Sequence, residues 1–231
     1  MFLEGKIAAV TGSGKGIGKA IALDLAKEGC NVVITSRTKI DITNVVKEIE
    51  SLGVKSIGVV SDVSNYESAK GVVTETMKTF GKIDILVNNA GIALKKDFIE
   101  TEKEEWDKII DINVKGVFNF TRDVLPIMKF QKSGVIINIS SGAGKTGIPG
   151  LSVYCASKFA LVGFTEAVAQ EVENDGVRVF CLCPGSTDTG MFSSLFPGVE
   201  AVSKPEDISK QVLKLCKPNC DIETGSILDV F

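Results

Sequence analysis

A tyrosine and a lysine stand four residues apart in Tyr154-Cys155-Ala156-Ser157-Lys158, within a helix-compatible stretch of the chain. Residues at this spacing project from the same face of a helix, so the phenol and the ammonium would be neighbours. A nearby cation favours phenolate and lowers the pKa of tyrosine from about 10 toward neutral pH, which makes tyrosine a usable general acid or base. Taken alone, the pair does not establish this chemistry, because the same spacing arises readily by chance in surface and packing pairs.

Other proton-transfer groups are scarce, because the 231 residues include no histidine. A Ser-His-Asp triad, a His-coordinated zinc and a His general base are therefore excluded. The six cysteines follow neither a C-x-x-C redox spacing nor a paired zinc spacing, so we expect ordinary buried or surface thiols and no metal site. They are Cys30, Cys155, Cys181, Cys183, Cys216 and Cys220.

A glycine-rich loop at residues 11–18 follows the first strand-like run and opens a helix-compatible stretch. This is the context of a dinucleotide-binding turn, in which glycines let the backbone approach a pyrophosphate at a helix N-terminus. An ordinary tight turn between strand and helix is the alternative. A P-loop and a G-x-S-x-G nucleophile elbow are both excluded, because no segment has the required glycine spacing.

The second predicted strand ends in Thr35-Ser36-Arg37, where dinucleotide-binding folds of this kind carry an acid for the adenosine ribose. An arginine there suits a 2′-phosphate through charged hydrogen bonds, and Lys15 could add a second positive charge. NADP is therefore favoured over NAD, although both cations could instead be solvated surface groups. Asp41 is judged to lie too far past the strand to replace the acid.

Short β-branched or apolar runs alternate with longer helix-compatible stretches, as expected for β-α-β units around a parallel sheet. Strands are predicted at residues 6–11, 31–36, 56–60, 83–88, 135–140, 177–183 and 226–230. Helices are predicted at residues 16–28, 40–52, 66–80, 102–130, 153–174 and 205–216, with Pro126 bending or ending the fourth. We therefore predict an α/β fold with a doubly wound parallel sheet, in a single domain spanning residues 1–231.

The formal net charge is -3, which disfavours the broad basic surface that a nucleic-acid partner would require. No apolar run approaches the roughly 18 residues of a membrane span, and the N-terminal residues lack the layout of a signal peptide. We expect a cytoplasmic protein that acts on a small molecule, with no nucleic-acid or membrane partner.

Several motifs occur in a fixed order along nearly the whole chain, and together they resemble the short-chain dehydrogenase/reductase family. The motifs are the loop at residues 11–18, Asp62-Val63, Asn88-Asn89-Ala90-Gly91, Asn113, Ser140-Ser141, Tyr154 with Lys158, and Pro184-Gly185 with Thr189. Each falls where an open α/β sheet places its ligand site, after the C-terminal end of a strand. The resemblance implies a Rossmann fold that binds a nicotinamide dinucleotide.

The resemblance also implies a catalytic tetrad. Tyr154 would exchange a proton with the substrate oxygen, while Lys158 would lower the pKa of Tyr154 and bind the nicotinamide ribose. Ser141 would orient the carbonyl, and Asn113, in a locally interrupted helix, would hold a water that links Lys158 to a proton relay.

For the cofactor, the resemblance assigns the pyrophosphate and adenosine phosphate to the glycine loop, the 2′-phosphate to Arg37, and the adenine to Asp62 and Val63. The nicotinamide would lie against the segment after the sixth strand, where Thr187 replaces a usual aliphatic residue. The full set of expected cofactor residues is Gly12, Gly14, Lys15, Gly16, Ile17, Gly18, Ser36, Arg37, Asp62, Val63, Asn89, Ala90, Gly91, Tyr154, Lys158, Pro184, Gly185, Thr187 and Thr189.

The pattern is most similar to 3-oxoacyl-[acyl-carrier-protein] reductase-like members, which implies a carbonyl or secondary alcohol substrate and an NADP(H)-dependent reaction. A non-catalytic NADP-sensing protein, an NAD-dependent dehydrogenase, and an epimerase or dehydratase with tightly held NAD are the alternatives. Loops at residues 95–101, 144–150 and 191–203 are expected to choose the substrate. A homodimer through residues 106–130 and 153–173 or a homotetramer is expected, and the short C-terminal tail puts the tetramer contacts in doubt.

Overall fold

The computed structural model describes residues 1–231 and contains one parallel sheet of seven strands in the order β3-β2-β1-β4-β5-β6-β7. The strands are β1 Ile7–Thr11, β2 Asn31–Ser36, β3 Ser56–Val60, β4 Ile85–Asn88, β5 Gly134–Ile139, β6 Val177–Pro184 and β7 Ile227–Val230. All six neighbouring strand pairs are parallel. Each predicted strand is therefore present, with its bounds within two residues of the prediction.

Helices cover both faces of the sheet, as the uninterrupted apolar strands require. They are α1 Gly16–Lys27, α2 Lys39–Glu50, α3 Tyr66–Phe80, α4 Lys103–Ile110, α5 Gly116–Gln131, α6 Ser152–Glu171, α7 Gly190–Leu195 and α8 Pro205–Leu215. One core packs α1, α2 and α8 against the sheet, with Leu25, Val45 and Val212 among its buried residues. The other packs α3, α5 and α6 through residues such as Val72 and Phe120. The doubly wound Rossmann-like fold is thereby confirmed.

The predicted helix over residues 102–130 is two helices, separated by a π-helical segment at Asp111–Lys115. Pro126 does not end a helix, because α5 continues past it to Gln131. The short helix α7 was not predicted. Its N-cap, Thr189, accepts a hydrogen bond from the backbone N–H of Phe192 at 3.2 Å.

The ligand crevice follows from the strand order. Strands β2 and β3 lie on one side of β1, and β4 to β7 lie on its other side. The connections between strands therefore run in opposite directions from the boundary between β1 and β4. Ligands of open α/β sheets bind outside the strand C-termini at such a switch point. The glycine-rich loop follows β1 and Asn89 follows β4, which brings both to this crevice. No helix is both long enough and apolar enough to cross a membrane.

Candidate active site

Tyr154 and Lys158 both lie on helix α6, four residues apart as predicted. Lys158 is buried, and its Nζ donates a hydrogen bond of 2.8 Å to the carbonyl of Ile139 at the end of β5. The same Nζ lies 5.7 Å from the centroid of the Tyr154 ring. A second hydrogen bond positions helix α6, because the Ser140 hydroxyl donates to the backbone carbonyl of Lys158 at 2.9 Å. The end of β5 and the residue after it therefore set the position of Lys158, one through the lysine side chain and the other through the lysine backbone.

Burial shifts the pKa values of these two groups in opposite directions, because it penalises phenolate and ammonium alike. Desolvation raises the pKa of Tyr154, and the neighbouring Ser141 hydroxyl opposes part of that rise. Desolvation lowers the pKa of Lys158 to about 8. The expectation that Lys158 lowers the pKa of Tyr154 stays a prediction, and the close hydrogen-bond partner of the desolvated Lys158 ammonium is the Ile139 carbonyl.

Asn113 lies in the π-helical segment, so the expected local interruption of the helix is present. Its Nδ2 donates to the Ile92 carbonyl at 2.9 Å and to the Ser157 Oγ at 3.0 Å, and its Oδ1 accepts from the Ile92 N–H at 2.8 Å. The side chain is completely buried. It therefore joins the segment after β4 to helix α6.

A cavity of about 340 Å³ runs along the strand C-termini. Most of the predicted cofactor residues line it, namely Gly12, Gly14, Lys15, Gly16, Ile17, Gly18, Ser36, Arg37, Asp62, Val63, Asn89, Ala90, Gly91, Tyr154, Lys158 and Thr189. The lining also includes residues outside the predicted cofactor set, which are Thr38, Asp41, Ser61, Ile92, Ile112, Ile139, Ser140, Gly190 and Met191. Most of these residues directly follow a strand or a named motif, and that position in the sequence could have indicated that they line the cavity.

The glycine loop has the shape of a cradle for an anion. Gly12 has a φ of +64°, and a Cβ there would lie 2.8 Å from the Cα of Ala90. Helix α1 then begins with no side-chain cap and no acidic residue in its first turn. Its free N–H groups and positive dipole end favour a phosphate, so the loop fits the pyrophosphate of a dinucleotide.

The end of this cavity at which the sequence predicts the adenosine carries charges of both signs. Arg37 is exposed at its rim with Lys15, as the predicted 2′-phosphate site requires. Asp41 lines the same cavity, although its sequence spacing suggested that it was too distant, because the first turn of α2 brings it back toward the loop. A Cβ on Gly14 would lie 2.9 Å from the Asp41 Cβ.

A second cavity, of about 310 Å³, adjoins the first and is lined mainly by apolar side chains. Ser141, Pro184, Gly185 and Thr187 lie here, whereas Tyr154 lines both cavities. The Thr187 hydroxyl donates to the Gly185 carbonyl at 3.3 Å, so this unusual side chain bonds to its own loop. The apolar wall comes from two of the loops expected to choose the substrate, through Ile148, Met191, Phe192, Leu195 and Phe196.

Comparison with known proteins identifies the family. Residues 6–200 match the sequence profile of the short chain dehydrogenase family. A 3-oxoacyl-[acyl-carrier-protein] reductase of Thermotoga maritima is 35% identical over 240 residues, covering 100% of this chain and 98% of that protein. Its counterpart in Staphylococcus aureus is 40% identical over 191 residues, covering 82% of this chain and 78% of the relative.

Solved structures give the same result. The 3-ketoacyl-(acyl-carrier-protein) reductase of Brucella melitensis, complexed with NADH, has a TM-score of 0.93 and 35% identity, over 99% of this chain and 97% of that one. Levodione reductase also has a TM-score of 0.93, at 27% identity, over 98% of this chain and 96% of that one. The chain is therefore an oxidoreductase that belongs to the short-chain dehydrogenase family.

Proposed function

We propose that this protein is an NADP(H)-dependent enzyme that interconverts a carbonyl compound and a secondary alcohol. The observation that carries the proposal is the position of Tyr154, which lines both cavities. Lys158 lies on the side of the first cavity and Ser141 on the side of the second. A proton donor at this junction can serve a substrate in the apolar cavity next to a cofactor in the glycine-lined one.

The residues around the first cavity fit a nicotinamide dinucleotide. The glycine loop and the free N-terminus of α1 would hold the pyrophosphate, and Arg37 with Lys15 would hold a 2′-phosphate. Asp62 and Val63 would contact the adenine, and Pro184, Gly185, Thr187 and Thr189 the nicotinamide side. When bound, the cofactor supplies or accepts the hydride at the substrate carbon.

The proton chemistry belongs to the chain itself. In reduction, the Tyr154 phenol donates its proton to the substrate oxygen, and its raised pKa keeps that proton available at neutral pH. The Ser141 hydroxyl, beside Tyr154, orients the same oxygen. Lys158 would then stabilise the phenolate by its charge and hold the nicotinamide ribose, and a water at Asn113 would continue the proton relay.

The substrate class is inferred from the second cavity and from the relatives. An apolar wall next to Tyr154 and Ser141 suits a carbonyl carried on a hydrocarbon segment. Relatives at 35% and 40% identity are 3-oxoacyl-[acyl-carrier-protein] reductases, which favours a 3-oxoacyl thioester. The carbonyl of such a thioester would lie between the Tyr154 and Ser141 hydroxyls.

The test is NADPH consumption with a panel of 3-oxoacyl thioesters, ketones and quinones, by wild type and by Tyr154→Phe. We expect turnover by the wild type and a loss of roughly 10² or more in the variant, the usual scale for a positioned proton donor. Tyr154→Phe should still fold and bind NADPH. Wild-type turnover by the variant would remove the phenol from the mechanism.

A non-catalytic NADP-sensing protein is the second candidate, and it would bind NADPH without consuming it. An NAD-dependent dehydrogenase is the third. Two observations favour it, namely Asp41 in the cofactor cavity and the NADH bound to the Brucella melitensis reductase. Nucleotide titration, described below for Arg37, separates the third candidate from the first.

A further inference from the structure

The three loops expected to choose the substrate meet at one exposed side chain, Lys95. Its Nζ lies 4.5 Å from the centroid of the Phe196 ring, which belongs to the third loop and lines the apolar cavity. A Cβ on Gly150, in the second loop, would lie 3.5 Å from the Lys95 Cγ. The backbone N–H of Lys96 also donates to the Gly150 carbonyl at 2.8 Å. Lys95 is therefore placed at the rim of the cavity by contacts with both opposing loops.

The charges around this rim make Lys95 distinctive. Two other lysines of these loops are neutralised by carboxylates, with Nζ–O distances of 2.9 Å for Lys96–Glu105 and 2.7 Å for Lys145–Asp229. No carboxylate of the chain forms an ion pair with Lys95, and its close partner is an aromatic ring. None of the residues lining the cavity is charged. Lys95 is therefore the one lysine of these three loops without a carboxylate partner, and it lies beside an apolar chamber. The same loops also carry Asp97, Glu100 and Glu200, which pair with no cation of the chain.

We propose that Lys95, supported on the Phe196 ring, selects carbonyl substrates that carry an anionic group beyond an apolar segment. This inference rests on the proposed function and names the substrate class of the same site. The apolar segment would fill the cavity, with the carbonyl at Tyr154 and the anion at the Lys95 ammonium. An aromatic ring carries no formal charge, so an ammonium that packs against it keeps its positive charge. The side of the ammonium that faces away from the ring can still bind an anion.

The experiment compares substrates that differ only in charge. Keto acids of three lengths, 5-oxohexanoate, 7-oxooctanoate and 9-oxodecanoate, are assayed beside their methyl esters, with 7-oxooctyl phosphate as a second anion. For at least one length, we expect the wild type to prefer the anion over the ester in kcat/KM by about tenfold, mostly through KM. The phosphate arm distinguishes selection of any anion from selection of a carboxylate.

Variants of the rim then test the side chain itself. Lys95→Gln should remove the preference, reducing kcat/KM for the anion about tenfold while the ester changes by less than about twofold. Lys95→Arg should retain it, and Phe196→Leu should weaken it. Lys96→Gln is the matched control, because that ammonium is already paired with Glu105, and it should leave the preference unchanged.

The outcomes separate this inference from the proposed function. Turnover of the esters with no preference for the anion at any length would overturn the role of Lys95 and leave the carbonyl reductase intact. An anion preference that survives Lys95→Gln would also overturn it. Failure to reduce any carbonyl compound would overturn both proposals. A preference that is lost in Lys95→Gln, restored in Lys95→Arg and weakened by added salt would support the assignment.

Discussion

At the scale of single residues, the environment of Tyr154 suits the role of proton donor that we propose for it. Its raised pKa keeps the phenol protonated through neutral pH, which suits a donor in carbonyl reduction. Alcohol oxidation needs the phenolate, which burial disfavours. Lys158 is the cation that can offset this cost, and its own pKa is lowered to about 8. The charge that stabilises the phenolate is therefore lost when the pH rises past that value.

The pH profile of reduction tests this coupling. We expect wild-type kcat to be constant from pH 6 to 7 and to fall above about pH 8, where Lys158 loses its proton. Lys158→Met should reduce at a low rate without that decline, because methionine carries no titrating charge. The measurement is kcat at saturating NADPH and ketone for both proteins. Parallel profiles in wild type and variant would show that the decline has another origin.

Cofactor choice is also decided by individual side chains. We expect NADPH to bind at least about tenfold more tightly than NADH, because hydrogen bonds to charged groups contribute roughly 1.5–3 kcal/mol each. Arg37→Ala combined with Lys15→Ala should bring the two dissociation constants, measured by fluorescence titration, close together. Asp41→Asn, at the same cavity, is the opposing control and should strengthen NADPH binding. Equal affinities in the wild type would contradict the 2′-phosphate assignment.

At the scale of elements, strand β5 is the support on which helix α6 is positioned. Asn138 on β5 donates to the Thr165 hydroxyl on α6 at 2.9 Å and accepts from Asn88 on β4 at 2.9 Å. Asn88 also donates to Thr121 on α5 at 3.2 Å. All four side chains are buried. This polar ladder joins two strands to two helices, one of which is α6, the helix that carries Tyr154 and Lys158.

Thr165→Val removes one end of the ladder while nearly preserving the volume. We expect the free energy of unfolding to fall by about 1–3 kcal/mol, because the Asn138 amide loses a buried acceptor. Thr165→Ser keeps the hydroxyl and should recover most of the loss. Urea denaturation of the three proteins measures the effect, and an unchanged midpoint in Thr165→Val would show that the bond contributes no net stability.

The sequence predicts the strands well because period-2 and continuous apolar runs, such as Ile85-Leu86-Val87, report burial directly. The apolar pattern predicted one continuous helix over residues 102–130, and only the family resemblance indicated the interruption at Asn113, which the π-helical segment Asp111–Lys115 confirms. Pro126 does not end α5, which was one of its two expected effects, since Val124 and Met128 on either side of it are buried in the core. The candidate site residues could be named from motifs, whereas the position of Asp41 depends on the first turn of α2 and that of Lys95 on how three loops pack together.

At the scale of the whole molecule, helices α5 and α6 present apolar surface that the fold leaves uncovered. Phe118 on α5 is 41% exposed and Phe159 on α6 is 46% exposed. The Phe118 ring packs against Phe164 of α6, with centroids 4.8 Å apart, so the two helices share one aromatic face. Phe130, at the end of α5, is 92% exposed. An apolar face on two neighbouring helices suits pairing with a second copy of the chain.

We therefore expect a homodimer through α5 and α6, with a solution mass twice the 24.6 kDa of the chain. Phe118→Glu should produce monomer, because self-complementary pairing buries the introduced charge twice, once in each copy. Val202→Glu is the matched control, since Val202 is 79% exposed outside these helices and its substitution should leave the dimer intact. Size-exclusion chromatography with light scattering measures all three proteins. A monomeric wild type, or a dimer that persists in Phe118→Glu, would place the contact elsewhere or remove it.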